Sequence, residues 1–274
     1  MKDKSNRARR ILAVLAVLSG TAVLLSACTT TVATTEPTAT GGDRALPLGS
    51  EKVTLDPKEF SAEITNRYWP MKPGTQWTYR ETDGTGAVMD VEVTATGATR
   101  KIANGITARV VRDTVSQDGA VVEDTFDWYA QDSKGAIWYL GEETAEFENG
   151  LVTSTAGSFE AGVDGAQPGI LLPAEPRPGQ KYRQEYYRGQ AEDNGEVVSF
   201  TEMATVPLGH FTEVLLTRDT ITIEPDVLQY KLYAPGVGPV QILDVAGPSA
   251  GREELVSVTA VPPDTGTGPL GEPR

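Results

Sequence analysis

The chain is short of the residues that most often carry chemistry. Of its 274 residues one is cysteine, Cys28, and one is histidine, His210. A lone cysteine excludes an internal disulfide framework and a multi-cysteine zinc site. A lone histidine excludes a multi-histidine metal centre. Positive charge is scarce as well, with 24 Lys and Arg against 38 Asp and Glu and a formal net charge of −14. Phosphate backbones attract the opposite balance, so no nucleic-acid partner is expected. The same balance disfavours lying flat on an anionic leaflet. Long hydrophobic runs are absent but for one, and with no second span the rest of the chain is expected to fold as a domain in water.

That one run is Ile11 to Leu25, which follows the basic residues Lys2, Lys4, Arg7, Arg9 and Arg10. It is short of the roughly 20 residues a membrane span needs and suits the apolar core of an export signal. It ends in Leu25-Ser26-Ala27-Cys28. This tetrad resembles the lipobox of bacterial lipoproteins. The resemblance implies that residues 1–27 are a signal peptide, that Cys28 is the lipidation site, and that acyl chains such as palmitate hold the protein to a membrane. Each buried methylene adds about 0.8 kcal/mol, so two or three chains anchor stably. The expected location is the cell envelope, on the outer face of the plasma membrane or on the outer membrane. Loss of the signal removes five basic residues and Asp3, leaving a net charge of −18.

Residues 28–55 are rich in Thr, Ala, Gly and Pro and are expected to be a disordered tether. A flexible chain of that length spans about 30 Å. Asp56-Pro57 is a helix start, Asp as N-cap and Pro in the first turn, and Phe60 and Ile64 would share one face of a short helix ending at Asn66. From Trp69 to Val261 the pattern changes to strand and turn. Asp83-Gly84, Asn104-Gly105, Asp118-Gly119, Asn149-Gly150, Asp164-Gly165 and Asn194-Gly195 are hairpin-type dipeptides. Between them apolar and polar residues alternate: Met89, Val91, Val93 and Ala95 on one face, Val88, Asp90, Glu92 and Thr94 on the other. The regular spacing predicts antiparallel meanders rather than βαβ units.

The pattern also echoes itself. Pro73-Gly74-Thr75-Gln76-Trp77 resembles Pro178-Gly179-Gln180-Lys181-Tyr182, and Val111-Arg112-Asp113-Thr114-Val115 resembles Thr217-Arg218-Asp219-Thr220-Ile221. Tyr129 before Gly135 matches Tyr230 before Gly238 at a similar offset. Two similar halves, about 68–155 and 173–261, are expected within one β-rich domain at 56–261. The Gly-rich stretch Ala161–Ile170 reads as a loop crossing between them, and 262–274 as a flexible tail. Tyr129-Ala130-Gln131-Asp132, Trp138-Tyr139-Leu140-Gly141-Glu142 and the Ala161–Ile170 stretch resemble an uncharacterised family of bacterial envelope proteins, which implies no known activity.

Candidate chemistry is sparse. Gly247-Pro248-Ser249-Ala250-Gly251 matches the nucleophile-elbow string, but that motif needs a following helix and a downstream histidine, and here a strand pattern follows and His210 lies upstream. His210 reads as a turn residue. Acids cluster at Glu123/Asp124/Asp127, at Glu142/Glu143/Glu146/Glu148 and at Glu192/Asp193/Glu196. Such groups could serve a glycosidase or a calcium site, with Glu192-Asp193-Asn194 the best placed for calcium. Their usual role is a solvated strand face. Trp69, Trp77, Tyr79, Trp128, Tyr129, Trp138, Tyr139, Tyr182, Tyr186 and Tyr187 are either sheet-packing residues or, one of each neighbouring pair, half-exposed platforms for sugars or lipid tails.

These readings combine into an all-β domain of antiparallel meanders in two similar halves, forming a curved sheet or open barrel with one short N-terminal helix. The expected function is a lipid-anchored, non-catalytic envelope lipoprotein that binds an apolar or amphipathic ligand, lipid or glycan, on the concave side. No catalytic residue, cofactor or metal is expected. An envelope scaffold is the alternative, its protein partner unknown, and a glycan-acting enzyme stands third. A carrier needs a lined concavity; a scaffold needs a filled core and an exposed apolar patch.

Overall fold

The computed structural model describes residues 46–246 and 250–272. Cys28, the signal and residues 29–45 of the expected tether lie outside the described residues. The architecture is all-β. Its strands are β1 Phe60–Ser61, β2 Thr75–Asp83, β3 Val88–Lys101, β4 Thr107–Gln117, β5 Ala120–Asp132, β6 Ile137–Glu148, β7 Leu151–Ser154 and β8 Phe159–Glu160. They continue as β9 Gln167–Leu172, β10 Lys181–Arg183, β11 Glu185–Tyr186, β12 Asp193–Val206, β13 Gly209–Ile221, β14 Leu228–Ala234, β15 Gly238–Ala246 and β16 Gly251–Ala260.

The sheet runs β10-β12-β13-β14-β15-β16-β2-β3-β4-β5-β6-β9-β11, with β1, β7 and β8 as side pairings. Its two edges are brought together by one piece of chain. Strand β10 pairs with β12 on one edge and β11 with β9 on the other, and only Gln184 separates β10 from β11. The sheet is therefore a nearly closed barrel, and the seam crosses at Gly169. A Cβ there would lie 2.2 Å from the Gln184 carbonyl oxygen, so glycine is what lets the two backbones cross.

The echoed residues take comparable places in this barrel. Gly74 and Gly179 open equivalent strands with φ of 81° and 83°, a region glycine enters without steric cost. Each donates its N–H to the neighbouring strand, Gly74 to Ala95 and Gly179 to Val197, both at 2.8 Å. Trp77 and Tyr182, three residues later, are both buried. Asp113 on β4 lies between Val93 and Thr125; Asp219 on β13 lies between Gly195 and Gln229.

Several expectations need correction. The N-terminal helix is a single 3-10 turn, Pro57–Glu59, with the Asp56 carboxylate accepting from the Lys58 N–H. Phe60 and Ser61 then join β1 against β5, because Phe60 gains more by packing on Trp138 than a free helix face could offer. Residues 46–55 are not free tether: Arg183 donates to the carbonyls of Gly49 and Glu51, and its own N–H to Pro47, all at 2.7 Å. Residues 262–272 are not a flexible tail. They form a strap across β3 to β5, with the Pro263 carbonyl on the Gly97 N–H and those of Gly268 and Pro269 on the Arg112 guanidinium. Asn194-Gly195 is no turn but lies inside β12. Gly195 is there because a Cβ would meet the Tyr182 ring at 2.4 Å. Within the Ala161–Ile170 stretch only the first part is a loop; Gln167 onward is β9.

Candidate functional site

The period-two rule decides what faces the inside. On β2 the inward set is Trp77, Tyr79 and Glu81; on β3 it is Met89, Val91, Val93 and Ala95, as the alternation predicts. Cross-strand register carries the same face to Val111, Asp113 and Val115 on β4, to Glu123, Thr125, Asp127 and Tyr129 on β5, and to Tyr139, Glu142 and Thr144 on β6. The outward face carries Arg80, Asp90, Glu92, Arg252 and Glu254, unlike the apolar belt of a membrane-spanning barrel. Among the described residues no helix is long and apolar enough to cross a membrane.

One end of the barrel is plugged by the chain before β2. Met71 N–H bonds back to Ile64, the Asn66 side chain holds the Gly135 carbonyl at 2.8 Å, and the Arg67 carbonyl accepts from Gly236. This plug drives Trp69 inward, where its ring centroid lies 6.1 Å from Trp77, 6.0 Å from Tyr129 and 6.3 Å from Tyr233. Tyr129 stacks on Tyr139 at 5.0 Å. The expectation of half-exposed partners fails for Trp128–Tyr129 and Trp138–Tyr139, whose rings are all buried, while Tyr186 and Tyr187 are both half-buried. Trp128 is covered by Arg100, whose guanidinium sits 3.9 Å above the ring, and Trp138 by Phe60.

Beyond the aromatic floor the barrel holds a cavity of about 160 Å³. Its walls include Trp69, Tyr79, Tyr129, Tyr139, Tyr233 and Leu171, and the acids Glu81, Asp113, Glu123, Asp127, Glu185, Asp193, Asp244 and Glu253, against one base, Lys231. Acids even face acids across the sheet: Asp127 is opposite Glu142 and Glu81 opposite Glu253. The Tyr139 hydroxyl bridges Asp127, at 2.8 Å, and Glu142. Lys231 Nζ is 3.0 Å from the Asp219 carboxylate, which also accepts from Gln184 at 3.1 Å.

Burial sets the protonation of this cluster. It is the largest cause pushing the Asp127 carboxyl up to about 7, aided by Asp113 and opposed by hydrogen bonds from Tyr139 and Tyr129 and by Lys231. Burial likewise pushes Asp193 up to about 7, with Lys231 opposing and Asp219 adding. Glu185 is raised well above the ordinary range by burial and then by Asp193 beside it. Glu142 is raised by burial, then by Glu185 and Asp127. Lys231 goes the other way: burial opposes its charge, but Asp219 overrides this and keeps it protonated. Two carboxyls in contact cannot both ionise cheaply, so Glu185 holds a proton toward Asp193.

The acids grouped in the sequence are split by the alternation. Glu123, Asp127 and Glu142 meet inside. Asp124 points outward, where Arg112 binds it from Nε at 2.9 Å and Thr114 from its hydroxyl at 2.6 Å beneath the strap. Glu192, the calcium candidate beside Asp193, instead accepts the Gly189 N–H, and Glu196 is on the surface with Arg218. Asp193 alone of that trio enters the cavity. Among the described residues no three His, Cys, Asp or Glu converge as a metal site. Gly247–Ser249 lie outside the described residues, and the residues from Gly251 form β16 rather than a helix. His210 is exposed, 2.9 Å from Thr205 Oγ1 across the β12–β13 pair. Sequence reasoning missed Glu81, Glu185, Lys231 and Glu253 as site residues. For Asp113 and Asp219 a signal existed: each is the acid in an echoed Arg-Asp-Thr, on the inward register of its strand.

Two other surfaces stand out. A groove of about 780 Å³ runs on the outside between the 46–60 segment and the barrel, lined by Leu46, Val53, Leu55, Phe60, Trp138, Ile170 and Pro173 among others. The β12–β13 hairpin exposes Val198, Phe200, Met203 and Leu208 while its Ala204, Val206 and Val214 are buried.

No family model and no curated protein matches this chain. Three solved structures are similar at low identity. A protein assigned as exported, with a YmcC-like fold, from Bacteroides fragilis is 14% identical with a TM-score of 0.44, over 71% of this chain and 100% of that one. A protein assigned as a lipoprotein, from Parabacteroides distasonis, is 11% identical with a TM-score of 0.38, over 71% and 99%. A β-barrel-like protein of a domain of unknown function from Brucella abortus is 11% identical with a TM-score of 0.34, over 68% and 96%. Likeness at this level assigns this chain neither a ligand nor an activity.

Proposed function

We propose that this is a lipid-anchored envelope lipoprotein, held by Cys28, whose barrel interior binds a small amphipathic molecule without transforming it. One observation carries the reading: a cavity with an aromatic floor and polar walls inside a barrel whose outer face carries charged residues on β2, β3 and β16. Binding sites combine apolar walls with a few placed polar groups in this way. Its volume narrows the earlier expectation. About 150 Å³ of cavity takes a benzene-sized molecule, which favours a small ligand over an acyl lipid or a glycan chain. The same limit disfavours a glycan-cutting enzyme, which needs a cleft for a sugar ring between two carboxyls.

A scaffold role is the second reading, favoured by the four exposed apolar residues of the β12–β13 hairpin. One preparation separates the readings. The Cys28→Ala protein, made in its own envelope, is expected to leave the membrane fraction; retention there would contradict the anchor. Native mass spectrometry of the released protein is expected to show an added small-molecule mass that denaturation removes. A bare mass would favour the scaffold.

A further inference from the structure

We propose that the molecule taken into the barrel is a small organic cation, an ammonium group on an aromatic or short apolar body. This rests on the reading of the interior as a binding site and names its ligand class. The chemistry is in Glu185, Asp193 and Gln229. All three line the cavity and are more than nine-tenths buried. No protein donor reaches Glu185 Oε1 or Oε2, Asp193 Oδ1 or Gln229 Oε1. These are acceptors only, apart from the proton Glu185 shares with Asp193. Buried acceptors without donors cost free energy, and a ligand that brings N–H groups recovers it.

Charge points the same way. The one base lining the cavity, Lys231, lies 3.0 Å from Asp219, and the eight acids of the lining outnumber it. The walls suit an organic cation better than a metal ion. The acids are spread around the cavity and do not converge on one point, whereas Trp69, Tyr129 and Tyr139 stand where a ring or an ammonium can lie against a π face. An anion is excluded by the same walls.

The test uses isosteric probes on the full domain: benzylamine, benzyl alcohol and benzoate, with calcium chloride as a fourth. Thermal shift and Trp fluorescence titration are read at neutral pH. Benzylammonium is expected to raise the melting temperature and to bind at least tenfold more tightly than benzyl alcohol, with benzoate showing no saturable binding. Asp193→Asn is expected to remove most of that preference, and Glu185→Gln, a milder change because Glu185 holds a proton, to weaken it. Equal binding of amine and alcohol would overturn the cation inference and leave the binding site standing. A response to calcium alone would overturn the organic class. Binding of none of the probes would overturn both the inference and the site. An unchanged amine preference in a folded Asp193→Asn protein would overturn the role given to that residue.

Discussion

At the scale of residues, the decisive fact is that an alternating strand can hide an acid. Asp113 sits between Val111 and Val115 on the inward face, and Asp127 two residues from Tyr129 does the same. Asp127 titrates at about 7 when folded, against an ordinary 3.8, and Asp193 likewise. The folded protein thus holds protons between these values that the unfolded chain has released, so stability falls as pH rises through that window. The groups facing Asp127 and Asp193 are Asp113, Glu142, Glu185, Asp219, Glu224, Lys231 and the Tyr129 and Tyr139 hydroxyls; Lys231, the tyrosines and the Glu185 hydrogen bond to Asp193 favour ionisation, and the other acids oppose it. The melting temperature is therefore expected to drop by several degrees between about pH 5 and about pH 8, and Asp127→Asn, which keeps a hydrogen-bonding amide but no charge, to flatten the slope. A melting temperature that rises over this range would contradict the protonation described. These titrations were not legible from the sequence, because the acids that cause them come from β4, β5, β6, β11, β12 and β13 and meet only when the barrel closes.

At the scale of elements, the strands were readable and their coverings were not. Asp118-Gly119 and Asn149-Gly150 carry the positive φ at both central residues that a two-residue hairpin turn requires, and the alternation of β3 holds. The sequence-based reading fails where a segment docks on a strand's outer face. Residues 262–272 have tail-like composition, yet they cover Arg112 and Asp124, outward residues that would otherwise be solvated. Arg112 gives two hydrogen bonds to strap carbonyls, and the Gly271 N–H reaches the Asp124 carboxylate at 2.7 Å. Hydrogen bonds to charged groups contribute about 1.5–3 kcal/mol each when made in the interior; water would replace part of this. Ending the chain at Val261 is expected to cost about 2 kcal/mol or more, read as a lower urea midpoint, with faster amide exchange at the centre of β4. Arg112→Ala in the whole chain is expected to cost more, about 3–5 kcal/mol, since it leaves a buried carboxylate unpaired. A midpoint that does not move on truncation would mean the strap is not part of the folded unit.

At the scale of the whole molecule, the antiparallel strands become one barrel because β10 and β11 join the edges of the sheet through Gln184. The echo between Pro73–Val115 and Pro178–Ile221 was legible in the sequence, and its Pro-Gly pairs lead into β2 and β10. The closure was not: it depends on Gly169 and on three-residue and two-residue strands too short to show a period. Closure turns a curved sheet into a container, and the plug that carries Trp69 gives the container a floor. The central claim is that this interior is occupied by a small molecule in the envelope. Its most direct test is a crystal structure of the domain purified from that envelope without denaturation. The account predicts continuous non-water density between Trp69, Tyr129 and Glu185, with a donor within hydrogen-bond distance of the Glu185 or Asp193 carboxyl. A cavity holding only water bonded to those carboxyls would contradict it.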